Sequence, residues 1–198
     1  VLTAKNDIDS KVKGLKVGAE AYIEKPFSYD YLKAQILSLL NNRQKEREAF
    51  SKRPFFPVQN MQMSKEDEVF MNKVIEVINA NMEDETFNVE RMAEALCLSR
   101  SSLLRKIKTL FNMSPIDFIR LIRLKKAAEL IQDGKYRVGE ISYMVGFGSH
   151  SYFSKLFFKQ FGMTPKDFEQ QIASTRSKVR NVQEINIEDL IQNNSANS

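Results

Sequence analysis

Residues 99–115 read SRSSLLRKIKTLFNMSP, and residues 149–165 read SHSYFSKLFFKQFGMTP. The two stretches share a serine at the start, a central cation at Arg105 and Lys155, and a final Ser-Pro or Thr-Pro pair. Such a pair is a strong helix-start signal, because the hydroxyl caps the helix and proline suits its first position. Two copies are too few for a stacked solenoid core, so the repeat indicates that one small motif is duplicated.

The residues ahead of each stretch complete a helix-turn-helix pattern. In the first copy, apolar spacing predicts a short helix over residues 89–96, followed by a turn at Cys97. In the second copy, the short helix covers residues 138–145 and the turn begins at Gly146, which can take a positive φ. Cys97 stands at an apolar turn position and is predicted to lie in the core.

The outward positions of each second helix carry small polar residues together with long cations, a set suited to the major groove of DNA. Serine and histidine can reach base edges at close approach, and arginine or lysine can reach guanine O6 and N7. The first copy presents Arg100, Ser101, Leu104, Arg105 and Lys108, and the second presents His150, Ser151, Ser154, Lys155 and Lys159. A solvated polar face is the alternative for a single helix, but two matching copies favour DNA binding.

Charge is concentrated in the same part of the chain. Residues 87–173 contain 14 Lys and Arg against 8 Asp and Glu, a net charge of +6, and the rest of the chain brings the total to +5. One compact basic block is typical of a nucleic-acid-binding module. A basic module that binds an acidic protein partner is the competing interpretation, and sequence preference would separate the two.

Composition excludes several other classes. One histidine and one cysteine rule out a structural zinc site of His and Cys ligands, and a disulfide framework. No apolar run approaches the roughly 18–20 residues of a membrane span. The acidic residues show no arrangement for acid–base catalysis. We therefore expect a protein that is not an enzyme and has no metal or cofactor.

A long helix from Pro115 to Asp133, ended by Gly134, is predicted between the two copies. Such a helix would fix the distance between the second helices of the two motifs. That distance must be about 34 Å for both helices to engage one face of B-DNA. Its basic residues are suited to contact DNA phosphates and so set the register, with the alternative that half of them only face solvent. They are Arg120, Arg123, Lys125 and Lys126.

The segment ahead of the basic block has a different order of predicted secondary-structure elements. Residues 1–50 alternate strand, helix, strand and helix, with helices over residues 8–17 and from Tyr29 to about Phe50. Two strands are too few for a covered parallel sheet, so we expect the chain to begin inside an α/β domain. Residues 51–63, with two prolines and no periodicity, are predicted to be a linker. A domain over 64–173 and a polar, mobile tail over 174–198 would follow.

The basic block resembles the AraC/XylS family of bacterial transcription activators over about residues 67–170. The most specific part runs from Val145 through Tyr152 to Pro165, and residues 98–103 and 123–128 also match. The resemblance implies two helix-turn-helix subdomains joined by a long helix, which read two adjacent major-groove segments. Carried over by position, the base readers would be Ser101, Leu104, Arg105, His150, Ser151, Tyr152 and Lys155. Leu104 departs from a polar reader, and it would contact a thymine methyl or pack.

Residues 1–50 resemble the C-terminal half of a response-regulator receiver domain. The motifs that carry this resemblance are Leu2-Thr3-Ala4, Tyr22 after Gly18-Ala19-Glu20-Ala21, and Lys25-Pro26-Phe27. The resemblance implies that Thr3 and Lys25 contact a phosphorylated aspartate and that Tyr22 rotates on activation. The phosphoacceptor aspartate would lie upstream of Val1, so this chain alone would not take up the phosphoryl group.

Together these features predict a mainly α protein, with two helix-turn-helix subdomains joined by a long helix and preceded by a truncated α/β, receiver-like fragment. The two resemblances imply an activator at the output end of a two-component phosphorelay, in either a hybrid sensor or a stand-alone response regulator. The expected partners are double-stranded DNA, a second copy in the intact protein, an upstream histidine kinase or receiver portion, and RNA polymerase. The expected location is the cytoplasm, with anchoring of the intact protein in the inner membrane through upstream domains left open.

Overall fold

The computed structural model describes residues 2–3, 23–24 and 26–177 and is mainly α-helical, as the sequence predicts. Two strands come first, β1 (Leu2–Thr3) and β2 (Ile23–Glu24). The helices that follow are α1 (Tyr29–Lys52), α2 (Lys65–Ala80), α3 (Val89–Ala95), α4 (Arg100–Phe111), α5 (Pro115–Asp133), α6 (Val138–Met144) and α7 (His150–Phe161). A 3-10 turn spans Val58–Asn60, and residues 165–177 form a last described helix, α8.

The helix boundaries lie where the capping residues predict them. The hydroxyl groups of Ser99, Ser114 and Ser149 each accept a hydrogen bond from a backbone N–H in the first turn of α4, α5 and α7. At the other end, Asn112 closes α4 and Gly162 closes α7, both in the left-handed conformation. The two second helices therefore start and stop at equivalent positions, which makes the duplication structural as well as sequential.

Two apolar cores flank α5. The first contains residues of α1 to α4 together with Phe118 and Leu121, and the second contains residues of α6 to α8 together with Leu124 and Ala128. Because α5 packs against both cores, it is buried on nearly every side.

Two of the four α5 cations are buried, so the prediction that they reach DNA phosphates is wrong for Arg123 and Lys125. Arg123 is only 6% exposed and Lys125 only 8%. Both stand within the apolar run of α5 that the two cores cover, and both hydrogen-bond to backbone carbonyls instead of to solvent. Arg120 and Lys126 reach the surface, where they pair with Asp117 and Glu129.

At the N-terminus, β1 and β2 pair in parallel, with Leu2 opposite Ile23 and Thr3 opposite Glu24. Parallel neighbours need a crossover connection between them, and the α/β beginning stays a prediction. The predicted helix over residues 8–17 lies outside the described residues. Along α1, the apolar residues Ile36 and Leu40 are 49% and 57% exposed, and Phe50 is the only residue of that helix that is fully buried.

Residues 51–63 connect the two parts of the chain, but they pack against the domain instead of hanging free. Val58 and Met61 lie in the first core beside Phe50. The prolines end α1 and prevent a regular helix, yet they leave the neighbouring apolar side chains free to dock. The sequence pattern shows the break in periodicity and gives no sign of the docking.

Two smaller expectations also differ from the structure. The prediction that Cys97 lies in the core is wrong, because its side chain is exposed and its backbone is left-handed, with φ 54°. The turn after each short helix needs a residue in that conformation, and Cys97 supplies it where the second copy has Gly146. The expected tail begins as helix, since α8 continues through residue 177 and Arg176 hydrogen-bonds to the carbonyl oxygen of Gln132.

Candidate nucleic-acid interface

The turns of the two motifs have the same hydrogen bonds. In the first, the Leu98 N–H donates to the Ala93 carbonyl at 2.9 Å, and in the second the Phe147 N–H donates to the Ser142 carbonyl at 3.0 Å. These pairs are 49 residues apart, whereas the capping serines Ser99 and Ser149 are 50 apart. The second turn is therefore longer by one residue, which we assign to Gly148.

Both glycines of the second turn lie too close to their neighbours for a larger residue. A Cβ at Gly146 would lie 2.5 Å from the Met82 carbonyl oxygen and 2.7 Å from the Arg123 guanidinium carbon. A Cβ at Gly148 would overlap the carboxylate of Glu85. The turn thus packs directly against the loop that precedes the first motif, which fixes the entry angle of α7.

Of the eleven residues that the sequence assigns to the outward face of α4 and α7, ten are exposed and Ser154 is half-buried. On α4 the buried side is formed by Leu103, Ile107 and Phe111, and on α7 by Phe153 and Phe157. Leu104 and Tyr152 are 47% and 44% exposed, so neither is a core residue. The exposed set is Arg100, Ser101, Leu104, Arg105, Lys108, His150, Ser151, Tyr152, Lys155 and Lys159.

The cations of this face differ in how they are held. Arg100 forms an ion pair of 3.0 Å with Glu90 on α3. Lys106, on the side of α4 that faces α2, pairs with Asp67 at 3.5 Å and lies 4.3 Å from the ring centre of Phe70. Within the described part of the chain, the side chains of Arg105, Lys108, Lys155 and Lys159 have no hydrogen bond or ion pair. Their charges are therefore available to an external anion.

A shallow groove of about 350 Å³ lies beside Arg105. It is lined by residues of α2, the first turn and α4, among them Leu98, Ser102 and Thr109. On α7, the ring of Tyr152 packs 6.2 Å from that of Phe147, and the ring of His150 lies 6.3 Å from that of Phe153. Aromatic packing on the turn thus restricts Tyr152 while leaving part of its surface accessible.

The sequence pattern did not reveal that Arg123 and Lys125, two polar residues of the domain, have a structural role. The Lys125 ammonium donates to the carbonyl oxygens of Arg53, Pro54 and Phe56 at 2.8 to 3.1 Å. Burial lowers the pKa of Lys125 to about 8, while Glu129 acts in the opposite direction. Burial also lowers the pKa of Arg123. The signal that was available is their position in an apolar run, since a helix that is apolar on all sides is a buried one.

The receiver-switch residues are described only in small part. Thr3 lies in β1, and its side chain is outside what the structure describes, as are Tyr22 and Lys25 altogether. Over residues 26–177 and the two strands, no group of three His, Cys, Asp or Glu residues is placed to hold a metal ion. The helices described are too short or too polar to cross a bilayer.

The sequence profile of the family described as "Helix-turn-helix domain" matches residues 92–171. A solved structure titled "Crystal structure of transcriptional regulator (AraC-type DNA-binding domain-containing proteins) from Chromobacterium violaceum" superposes with a TM-score of 0.50. It is 25% identical and covers 55% of this chain and 96% of that one. This part of the chain therefore has the sequence profile of a helix-turn-helix domain and is similar in fold to an AraC-type DNA-binding domain. Within it, α4 and α7 are the second helices of the two motifs and α5 joins them.

Relatives by sequence extend the similarity beyond the AraC-type domain. "Histidine kinase P4" of Formosa agariphila is 36% identical over 171 residues, which are 86% of this chain and 12% of that protein. "HTH-type transcriptional regulator MtrA" of Neisseria gonorrhoeae is 32% identical over 101 residues, or 51% of this chain and 33% of that protein. The chain therefore spans a third or less of the length of these relatives. The first match is longer than the AraC-type domain, so it includes part of the segment before it.

The comparisons bear on the two interpretations of the basic block. The Chromobacterium violaceum neighbour is described as having an AraC-type DNA-binding domain, which favours DNA over an acidic protein as the partner. The Neisseria gonorrhoeae relative and the Chromobacterium violaceum neighbour are both named transcription regulators.

Proposed function

We propose that this chain is the output part of a transcription regulator, which binds a specific DNA sequence by placing α4 and α7 in two adjacent major-groove segments. The observation that carries the proposal is the exposure of the same outward positions on two helices with equivalent caps. N-terminal residues of a recognition helix are those that contact base edges, and both helices present small polar residues there.

The proposed base contacts follow from the position of each residue along its helix. On α4 they are Ser101, Leu104 and Arg105, and on α7 they are His150, Ser151, Tyr152 and Lys155. Lys108 and Lys159 lie in the last turns of their helices, where we assign them to phosphates. Arg100 would join them once its ion pair with Glu90 opens.

We further propose that the regulator is controlled by a phosphorelay. The parallel β1–β2 pair and the receiver marks at Thr3, Tyr22 and Lys25 support an N-terminal receiver portion over residues 1–50. The similarity to a protein named a histidine kinase, which extends ahead of the AraC-type domain, points the same way. In this proposal, phosphorylation of the receiver portion promotes pairing of two copies, which raises occupancy of a promoter and allows contact with RNA polymerase.

Selection of bound fragments from random DNA tests the proposal. We expect a motif of two elements with centres about ten base pairs apart, one for each recognition helix. Binding without any sequence preference would overturn the base-reading assignment. An acidic protein that competes with the selected DNA only at high excess would agree with the proposal, and one that binds with far higher affinity would contradict it.

A further inference from the structure

The C-terminal half of α1 contacts the end of the first recognition helix. Arg47 donates from Nε to the Leu110 carbonyl oxygen at 2.9 Å and from Nη2 to the Thr109 carbonyl oxygen at 2.8 Å. These carbonyls belong to the last turn of α4, where the helix has no partner of its own for them. A guanidinium placed there also interacts favourably with the negative end of the helix dipole.

The same part of α1 contacts the end of the second recognition helix. The side-chain amide of Gln160, next to the last residue of α7, donates to both the backbone carbonyl and the hydroxyl oxygen of Ser51 at 2.8 Å. Leu110 and Gln160 occupy equivalent places in the duplicated motif, fifty residues apart. Helix α1 therefore holds the two recognition helices at corresponding positions.

Arg47 and Ser51 are four residues apart, so they lie on one face of α1, about 6 Å apart along its axis. A single helical turn of α1 thus joins the C-terminal ends of both recognition helices. Helix α5 also joins the two subdomains, but it does so through the cores, whereas this contact acts on the recognition helices themselves.

Apolar packing holds this turn of α1 in place. The ring of Phe50 is buried and lies 5.0 Å from that of Phe111 and 6.2 Å from that of Phe118. Past the end of α1, Phe55 packs 5.8 Å from Phe168 of α8. With the three carbonyls on Lys125, these contacts fix the end of α1 to both subdomains.

We propose that Arg47, Ser51 and Gln160 are positioning residues that set the separation of the recognition helices, and hence the spacing of the two DNA elements that the domain accepts. This inference rests on the proposed function of α4 and α7. One inserted base pair moves the second element by about 3.4 Å and rotates it by about 35°. A pair of helices held through one turn of α1 cannot follow that displacement without breaking the Arg47 or the Gln160 hydrogen bonds.

The test uses the 198-residue chain and the duplex that it selects from random DNA. Affinity is measured for this duplex, for duplexes with one base pair added or removed between the elements, and for each element alone. The variants are Arg47→Ala, Gln160→Ala and the smaller change Ser51→Ala, which leaves Gln160 its backbone acceptor. The control is Lys45→Ala, which removes a charge from an exposed residue of α1 that has no hydrogen bond or ion pair to the described residues.

We expect the wild-type chain and the control to lose about tenfold in affinity when the spacing changes, and Arg47→Ala and Gln160→Ala to lose about threefold or less, with single-element affinities unchanged. Ser51→Ala should lie between. Unchanged spacing discrimination in both alanine variants would overturn the inference, whereas failure of the wild-type chain to select any sequence would overturn the proposed function itself. Should Arg47→Ala and Gln160→Ala not fold, Arg47→Lys and Ser51→Ala decide. Arg47→Lys keeps the side-chain bulk and Ser51→Ala keeps the backbone acceptor, and each is expected to show an intermediate loss of spacing discrimination.

Discussion

Arg123 on α5 donates a hydrogen bond of 3.0 Å to the carbonyl oxygen of Gly146, in the turn of the second helix-turn-helix motif. The same guanidinium donates to the carbonyl oxygens of Asp84 and Asn81, in the loop ahead of the first motif. One buried cation therefore joins the helix between the subdomains to both motifs. The carboxylates of Asp84 and Glu85 oppose the effect of burial on its pKa, and an arginine stays protonated.

Replacing this cation should destabilise the whole domain. Arg123→Ala leaves three carbonyl oxygens without their donor and opens a gap beside Gly146, so we expect the free energy of unfolding to fall by roughly 2–4 kcal/mol. Chemical denaturation measures the loss. Arg120→Ala, one turn earlier on the surface of α5, is the control and should change stability by less than about 1 kcal/mol. Equal losses in the two variants would show that the buried hydrogen bonds contribute little.

The proposed base contacts predict losses that depend on DNA sequence. Arg105→Ala and Lys155→Ala should each weaken binding to the selected site by about 1–3 kcal/mol and change binding to random DNA little, because each removes a contact to a base edge. Competition binding with both DNAs measures the difference. Lys166→Ala, at an exposed position of α8, is the matched control and should affect both DNAs slightly. A loss of equal size on both DNAs would assign the residue to phosphate instead.

The loop that receives Arg123 also contains a carboxylate whose charge stabilises the fold. Hydrogen bonds from Thr86 and Arg91 lower the pKa of Asp84 to about 2, from an ordinary value of 3.8. Because the pKa is lowered in the folded state, this stabilisation is complete above about pH 4 and is lost as the pH falls through 2. Asp84→Asn should therefore be less stable than wild type at pH 6, and the difference should shrink towards pH 2. A difference that stays constant from pH 6 to pH 2 would contradict this assignment.

The helices and their ends were predictable from the sequence because their signals are local. Serine caps, prolines at the first helical position and left-handed residues at the ends all act within a few residues. The duplicated pattern also assigned the outward face of α4 and α7 correctly, since a helix with one apolar stripe exposes its other sides. Exposure shows that these positions point outward, and the DNA-binding face and its individual base contacts stay predictions.

The contacts between distant segments were not predictable in this way. Lys125 is stable in a buried position because its ammonium group donates to three carbonyl oxygens about seventy residues away in the chain. No local sequence pattern encodes these contacts. The docking of residues 51–63 depends likewise on an apolar surface formed elsewhere in the chain. Cys97 shows that residue type alone does not predict burial. The turn imposes a left-handed backbone there and puts an apolar side chain on the surface.

Two glycines close together in the second motif should respond to the same substitution in opposite ways. Gly146 has φ +74°, and a Cβ there would meet the Met82 carbonyl and Arg123, so we expect Gly146→Ala to lower the free energy of unfolding by roughly 2 kcal/mol or more. Gly139 lies within α6 with nothing inside 4 Å of its Cβ position, so Gly139→Ala should raise stability by up to about 1 kcal/mol. Thermal melting of the two variants measures both effects. Because Gly146 precedes α7, its substitution should also weaken DNA binding, and a Gly146→Ala variant with wild-type melting and binding would show that the turn does not orient the recognition helix.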